Sequence, residues 1–93
     1  MNLAEIRRRL PMHIREDYAH TSVIVRGSYV GNLYENSKVF FKAICFRTAD
    51  DYARRDKFLS YFKYTKLLSF NDNLRETVYE LHGFKNDIRW YKR

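Results

Sequence analysis

The chain has 93 residues, of which 18 are Lys or Arg and 11 are Asp or Glu, so its formal net charge is +7 at pH 7. Its 45% hydrophobic and 17% aromatic content excludes a disordered composition, and its length predicts one small domain, residues 1–93, with a single core. The excess of positive charge favours polyanionic partners and makes a nucleic acid the first candidate.

A short helix is predicted over residues 3–10. Asn2 and Glu5 have the spacing of a capping box, and apolar residues recur at helical spacing from Leu3 to Leu10, where Pro11 ends the pattern. This opening stretch has no apolar core of a signal peptide, and no apolar run in the chain approaches a membrane span. We therefore expect a cytoplasmic protein with no membrane partner.

A long antiparallel hairpin is predicted next. Its first arm is TSVIVRGSYVGNLY, its turn is formed by residues 35–37, and its second arm is KVFFKAICFR. Gly27 and Gly31 interrupt the first arm and indicate a bulge or a sharp bend. The second arm is largely apolar at both alternating sets of positions, so we expect it inside a sheet and covered on both faces.

A long amphipathic helix is predicted over about residues 49–68. Thr48 with Asp51 three residues later indicates its start, and the apolar stripe falls at helical spacing. The stripe consists of Phe58, Tyr61, Phe62, Thr65 and Leu68. The strand propensity of YFKYT, residues 61–65, is a reason for the helix to end earlier.

The last part of the chain has two interpretations. Asn73 and Glu76 form another capping-box pattern, and Gly83 suits a helix C-terminus, which favours a helix over residues 74–82 followed by a short strand over 87–92. Alternatively, TVYEL and IRWYK are strand-like. The elements together predict an α+β fold of two or three helices with an antiparallel hairpin and a C-terminal strand.

Cationic and aromatic side chains interleave in several places, as a surface that binds single-stranded nucleic acid requires. Cations neutralise phosphates, and rings stack on unpaired bases. The candidate nucleic-acid-binding residues are Arg7, Arg8, Arg9, Arg55, Lys63, Lys66, Arg89, Trp90, Tyr91, Lys92 and Arg93. On the long helix these charges have an alternative, purely structural role. Asp50 with Arg54 and Asp51 with Arg55 have the spacing of helix ion pairs, which would partly neutralise the arginines.

Catalytic and metal-binding patterns are weak in this sequence. The three histidines, His13, His20 and His82, would suit acid–base chemistry, and His20 with Arg26 or His82 with Arg89 would have to converge. One cysteine, Cys45, and the wide histidine spacing predict no zinc site, and no phosphate-loop motif is present. No catalytic residue, cofactor or metal is therefore expected.

The sixteen aromatic rings are more than a core of this size ordinarily encloses, so we expect some of the tyrosines on the surface. They include Tyr18, Tyr29, Tyr34, Tyr64, Tyr79 and Tyr91. The leading hypothesis is a non-enzymatic protein that binds RNA or single-stranded DNA through a basic, Tyr-rich surface. Exposed Tyr with Arg also suits a protein partner, which gives the alternative of an inhibitor or adaptor acting on a nucleic-acid-processing protein.

The small, basic, aromatic-rich composition resembles that of virus-encoded accessory proteins, and a homo-oligomer is compatible with it. An RNA-cleaving, toxin-like enzyme is the third hypothesis, because small basic ribonucleases share this length and charge. Both likenesses are compositional and rest on no motif.

Overall fold

The computed structural model describes residues 2–16, 21–35, 39–44 and 48–85. Within these ranges the chain forms two helices and one six-stranded antiparallel sheet with the strand order β1-β2-β3-β4-β6-β5. The elements are α1 (Leu3–Arg9), β1 (His13–Glu16), β2 (Thr21–Val25), β3 (Ser28–Glu35), β4 (Val39–Ile44), α2 (Ala49–Leu59), β5 (Phe62–Asn71) and β6 (Glu76–Phe84). The result is a small α+β domain with more sheet and less helix than the sequence predicts.

The first helix forms as predicted. The Asn2 side chain accepts a hydrogen bond of 2.9 Å from the backbone N–H of Glu5, which satisfies one of the donors that a helix start leaves unpaired. The backbone N–H of Leu10 donates to Ile6 and closes the last turn before Pro11. Ile6 and Leu10 are buried, so a helix too short to persist alone is held by its apolar face.

The predicted first arm of the hairpin is wrong as a single strand, because the chain reverses in its middle. Arg26 and Gly27 have φ values of 52° and 79°, the left-handed pair that a two-residue turn between antiparallel strands requires. β2 and β3 therefore form a hairpin of their own. The register shifts after Val23, which pairs with Gly31, so the two glycines do mark a bend and a bulge.

The second arm, β4, lies inside the sheet between β3 and β6, as predicted. The prediction that both faces of β4 are fully covered is wrong. Val39, Phe41 and Ala43 are buried, whereas Phe40 and Lys42, which point to the opposite face, are only half-buried. Both described helices contribute to one core cluster on the first of these faces.

The predicted long helix is wrong in its second half. Thr48 begins α2 as expected, with its hydroxyl accepting from the Asp51 backbone N–H at 3.3 Å, but the helix ends at Leu59. Residues from Phe62 onward form β5, paired with β6, and Phe62 lies opposite Phe84. The strand propensity of residues 61–65 prevails because the β6 ladder gives those residues a partner.

The predicted helix over residues 74–82 is also wrong, and the alternative strand interpretation holds for TVYEL. β6 runs from Glu76 to Phe84 and pairs with β4 on one side and β5 on the other. The residues between β5 and β6 form a turn, in which the Asn71 side chain accepts a hydrogen bond of 3.2 Å from the Leu74 backbone N–H. The predicted strand over 87–92 lies outside the described residues.

A chain of phenylalanine rings forms the centre of the core. The Phe41 and Phe58 ring centroids are 4.4 Å apart, Phe58 and Phe62 are 5.3 Å apart, and Phe62 and Phe84 are 5.5 Å apart. These contacts join β4, α2, β5 and β6. We call the side of the sheet that faces the two helices the helix-side face, and the opposite side the outer face.

Candidate nucleic-acid interface

A concave site opens between α1 and the start of β1. Its volume is about 440 Å³, and two arginines from one side of α1 contribute to it together with the exposed His13. The lining residues are Ala4, Arg7, Arg8, Met12, His13 and Ile14. Arg7 and Arg8 thus line one site together with His13, which the sequence suggests only for acid–base chemistry.

A second concave site, of about 270 Å³, lies beside the first. It is formed by the segment after α1, the β2–β3 turn and the end of α2, and its lining residues are Pro11, Met12, Val25, Arg26, Lys57 and Tyr61. The Lys57 ammonium is 5.8 Å from the centroid of the Tyr61 ring. Burial raises the pKa of Tyr61 above its usual 10.0, and the nearby positive charge of Arg26 opposes that rise.

The two sites adjoin, because Met12 lines both of them. We call the surface formed by Arg7, Arg8, His13, Arg26 and Lys57 around Met12 the basic face. Among the described residues that line either site there is no Asp or Glu. A concave surface lined by several cations attracts anions, and arginine can bind a phosphate through two parallel hydrogen bonds.

Arg9, the third arginine of the run, has a different environment. Its guanidinium lies over the Phe84 ring, 4.2 Å from the centroid, and the side chain is only partly exposed. It therefore attaches the end of α1 to the end of β6 through a cation–π contact. Of the three consecutive arginines, the structure places two on the basic face and one in packing.

Arg55 lies on α2 and is paired locally. Its Nη2 is 3.2 Å from a carboxylate oxygen of Asp56, and its guanidinium lies 5.1 Å from the Tyr52 ring centroid. Arg54 contacts Asp51 at 3.4 Å, three residues away in the helix. Local ion pairs of α2 are thus present, and the Arg54–Asp51 pair has a spacing of three residues.

Lys63 and Lys66 are exposed on β5 rather than on a helix. Lys66 lies opposite Glu80 in the sheet register. The continuous helix expected to carry these lysines together with Arg55 ends at Leu59. The remaining candidates, Arg89, Trp90, Tyr91, Lys92 and Arg93, lie outside the described residues.

An aromatic and charged cluster lies on the outer face, where β5 and β6 pair. The Tyr64 ring stacks on His82 with centroids 4.4 Å apart and an interplanar angle of 10°, and Tyr64 is 61% exposed. His82 Nε2 is 2.5 Å from a carboxylate oxygen of Glu80, a residue only 5% exposed. The carboxylate fixes the imidazole, and the imidazole supports an exposed ring on which a base can stack.

The other tyrosines among which the sequence predicts surface positions are not fully exposed where the structure describes them. Tyr29, Tyr34 and Tyr79 are half-buried in the sheet, while Tyr18 and Tyr91 lie outside the described residues. His20, required for one of the two histidine–arginine pairs, also lies outside them, as does Arg89, required for the other. Cys45 is likewise not described.

Arg26 and Lys57, like His13, are basic-face residues that the sequence does not indicate for nucleic-acid binding; Arg26 is considered there only as a partner of His20. Arg26 precedes Gly27 in a pair typical of a turn, which signals a surface position. Lys57 falls in the last turn of α2, where a cation complements the helix dipole. These signals locate each residue, but only the tertiary fold brings the two together.

Within residues 2–16, 21–35, 39–44 and 48–85, no group of three or more His, Cys, Asp or Glu side chains is arranged to hold a metal ion. Among the helices in those same ranges, none has the length and apolarity needed to cross a membrane.

Comparison with known proteins gives no relative for this chain. No protein-family profile, no curated protein and no solved structure matches it.

Proposed function

We propose that this protein binds RNA or single-stranded DNA through the basic face, without catalysing a reaction. The supporting observation is that two adjoining concave sites, joined at Met12, are lined by cations and by no carboxylate of the described residues. Cations brought together from α1, the β2–β3 turn and α2 form a field that an evenly charged surface would lack. A backbone of regularly spaced phosphates fits such a surface better than a single small anion does.

Phosphate neutralisation is the main contribution to binding in this mechanism. Arg7 and Arg8 bind phosphate oxygens in the larger site, and Arg26 with Lys57 binds those of a neighbouring nucleotide. Tyr64 follows Tyr61 by three residues, so their Cα atoms are at most about 11 Å apart. The Tyr64 ring lies on the outer face, so a strand held on the basic face would have to pass round the sheet to stack a base on it, and the phosphate contacts of the basic face carry the proposal with little readout of base sequence.

The test is the salt dependence of binding to a labelled single-stranded oligonucleotide. For single strands the magnitude of the log–log slope is about 0.7 for each phosphate that the protein neutralises. The double variants Arg7→Gln/Arg8→Gln and Arg26→Gln/Lys57→Gln should each weaken binding and reduce the slope by roughly 1.4. Lys66→Gln/Arg75→Gln is the matched control, since it removes two exposed cations from the β5–β6 hairpin, and it should change the slope by less than half as much.

Absence of binding at low salt would contradict the proposal and favour a protein partner with an acidic surface. An equal reduction of the slope in the control would show that net charge, and not the basic face, controls binding. Cleavage of the RNA during the assay would contradict the non-enzymatic part, and a His82→Ala variant would then show whether the Glu80–His82 pair is responsible.

A further inference from the structure

The β5–β6 hairpin exposes a group of large apolar side chains. Leu67 is 57% exposed, Phe70 56%, Leu74 62% and Leu68 40%. We call these four residues the apolar hairpin patch. Three of them lie in β5 and Leu74 lies in the turn after it, so the exposed apolar side chains are concentrated on one hairpin, and such a concentration usually marks an interface.

The patch lies on an edge of the sheet. β5 is ten residues long and pairs only with β6 among the described strands. Leu67 lies opposite Tyr79, and Phe70 lies opposite the buried Thr77, which places both on the helix-side face. A long edge strand presents unpaired backbone groups next to these side chains and can accept another strand.

The charges along β5 are complementary to those of a second β5 in the opposite direction. Lys63 and Lys66 lie in its first half, and Asp72 follows its last residue. If two copies align antiparallel about a two-fold axis, the apolar centres meet and each lysine-bearing end lies beside the other copy's Asp72. A parallel alignment would instead place lysine beside lysine, which is repulsive.

The other edge of the sheet makes an open-ended assembly less favourable. β1 has four residues, so it offers a much shorter ladder than β5 does. A contact between two β5 edges uses the same surface on both copies and closes after two, whereas β5 joined to β1 would continue indefinitely. The length difference therefore favours the closed pair.

We propose that the occupant of this edge is a second copy of the chain, with the two β5 strands antiparallel and the apolar hairpin patches in contact. Leu68 interrupts the regular register between β5 and β6, so the side chains of the patch carry more of this contact than a continuous backbone ladder does. The inference does not depend on the proposed nucleic-acid binding. A dimer would carry two basic faces and could bind one strand at two places.

Sedimentation velocity on nuclease-treated protein, over concentrations up to the solubility limit, tests this inference. The wild type should form a dimer, and Leu67→Ser/Phe70→Ser should raise the dissociation constant by about tenfold or more, because it removes apolar area from the contact. Tyr52→Ser is the matched control, since Tyr52 is 41% exposed but lies on α2, and it should leave the dimer intact. A wild type that stays monomeric, or a serine variant that dimerises equally well, would overturn the inference.

Charge exchange tests the antiparallel alignment separately. Lys63→Glu or Asp72→Lys alone should weaken the dimer, and the double variant should recover it. Failure of the double variant to recover would reject this alignment. Added salt should change the dimer little, because it screens both the repulsion between two copies of net charge +7 and the Lys63–Asp72 attraction and leaves the apolar contact, whereas it should weaken nucleic-acid binding steeply, so the two proposals fail independently.

Discussion

The guanidinium of Arg9 lies 4.2 Å from the centroid of the Phe84 ring. This interaction joins the last residue of α1 to the last residue of β6, two elements that meet only through the tertiary fold. Phe84 in turn stacks on Phe62, within the ring chain of the core. Arg9 is therefore part of the attachment of α1, although it belongs to an arginine run that the sequence assigns as a whole to ligand binding.

Arg9→Gln should consequently affect stability more than binding. Removal of the cation–π interaction should lower the free energy of unfolding by about 0.5–2 kcal/mol, measured by urea denaturation. Affinity for a single-stranded oligonucleotide should change less than it does in Arg8→Gln, which is the matched control. Arg8→Gln should leave the unfolding free energy within about 0.5 kcal/mol of the wild type because its side chain is exposed. The reverse pattern would show that Arg9 binds the ligand and Arg8 supports the fold.

Local signals predict where the helices begin and which rings are buried. The Asn2 and Thr48 caps are both found, and Phe58, Tyr61 and Phe62 are all buried, as the helical stripe predicts. The same stripe wrongly predicts that the helix continues to residue 68. A helix that ends at Leu59 and is followed by a strand buries the same three residues, so their burial does not distinguish the two structures. Only the pairing of Phe62 with Phe84, which is distant in sequence, distinguishes the two arrangements.

The basic face, too, can be predicted from the sequence only in part. Arg7 and Arg8 are recognisable from their position on a short helix, since the apolar residues of α1 leave them on its polar side. Arg26 and Lys57 are far apart in the sequence, and no local pattern indicates that both line one concave site with Tyr61. Tertiary contacts therefore determine the larger part of the basic face.

Gly31 should be required by the close approach of β3 to β4. A Cβ atom at this position would lie 2.4 Å from the backbone oxygen of Lys42 and 2.7 Å from the Phe41 ring. Neither neighbour can move without disturbing the sheet or the core, so Gly31→Ala should lower the free energy of unfolding by about 1–3 kcal/mol. Thermal and urea denaturation would measure this decrease.

Gly27 provides a comparison with a different physical cause. Its φ is +79°, and a Cβ there would meet nothing within 4 Å, so the cost of Gly27→Ala comes only from the left-handed backbone. Gly27→Asn should recover part of that cost, because Asn tolerates this conformation, whereas Gly31→Asn should not improve on Gly31→Ala. Recovery by Asn at position 31 would mean that backbone conformation, and not steric contact, controls that site.

The Glu80–His82 pair should contribute to stability because Glu80 is a buried acid. Removal of the imidazole N–H leaves the carboxylate without this partner, so His82→Phe, which keeps a ring stacked on Tyr64, should cost about 1–3 kcal/mol. In a double-mutant cycle, Glu80→Gln with His82→Phe should cost less than the sum of the two single changes. Additive costs in urea denaturation would show that the two side chains do not interact appreciably.

Tyr61 should titrate above its usual range and report the position of Arg26 in the absence of any ligand. Burial raises the pKa of its phenol, and the Arg26 charge opposes this rise, so Arg26→Gln should raise the pKa further. The tyrosinate absorbance of the wild type minus that of Tyr61→Phe isolates this group. An unchanged titration midpoint of Tyr61 in Arg26→Gln would show that the Arg26 charge does not lie close to Tyr61, and would contradict the place of Arg26 in the basic face.

The same shift predicts how stability depends on pH. Above pH 10.0 the unfolded chain has released the Tyr61 proton while the folded chain still holds it, so the unfolded state binds fewer protons. The contribution of Tyr61 to stability is therefore fully present below pH 10.0 and is lost as the pH rises through the folded-state pKa. Urea denaturation at stepped alkaline pH should show a steeper decline for the wild type than for Tyr61→Phe, because phenylalanine has no proton to release; equal slopes would contradict the burial of a neutral phenol beside Arg26.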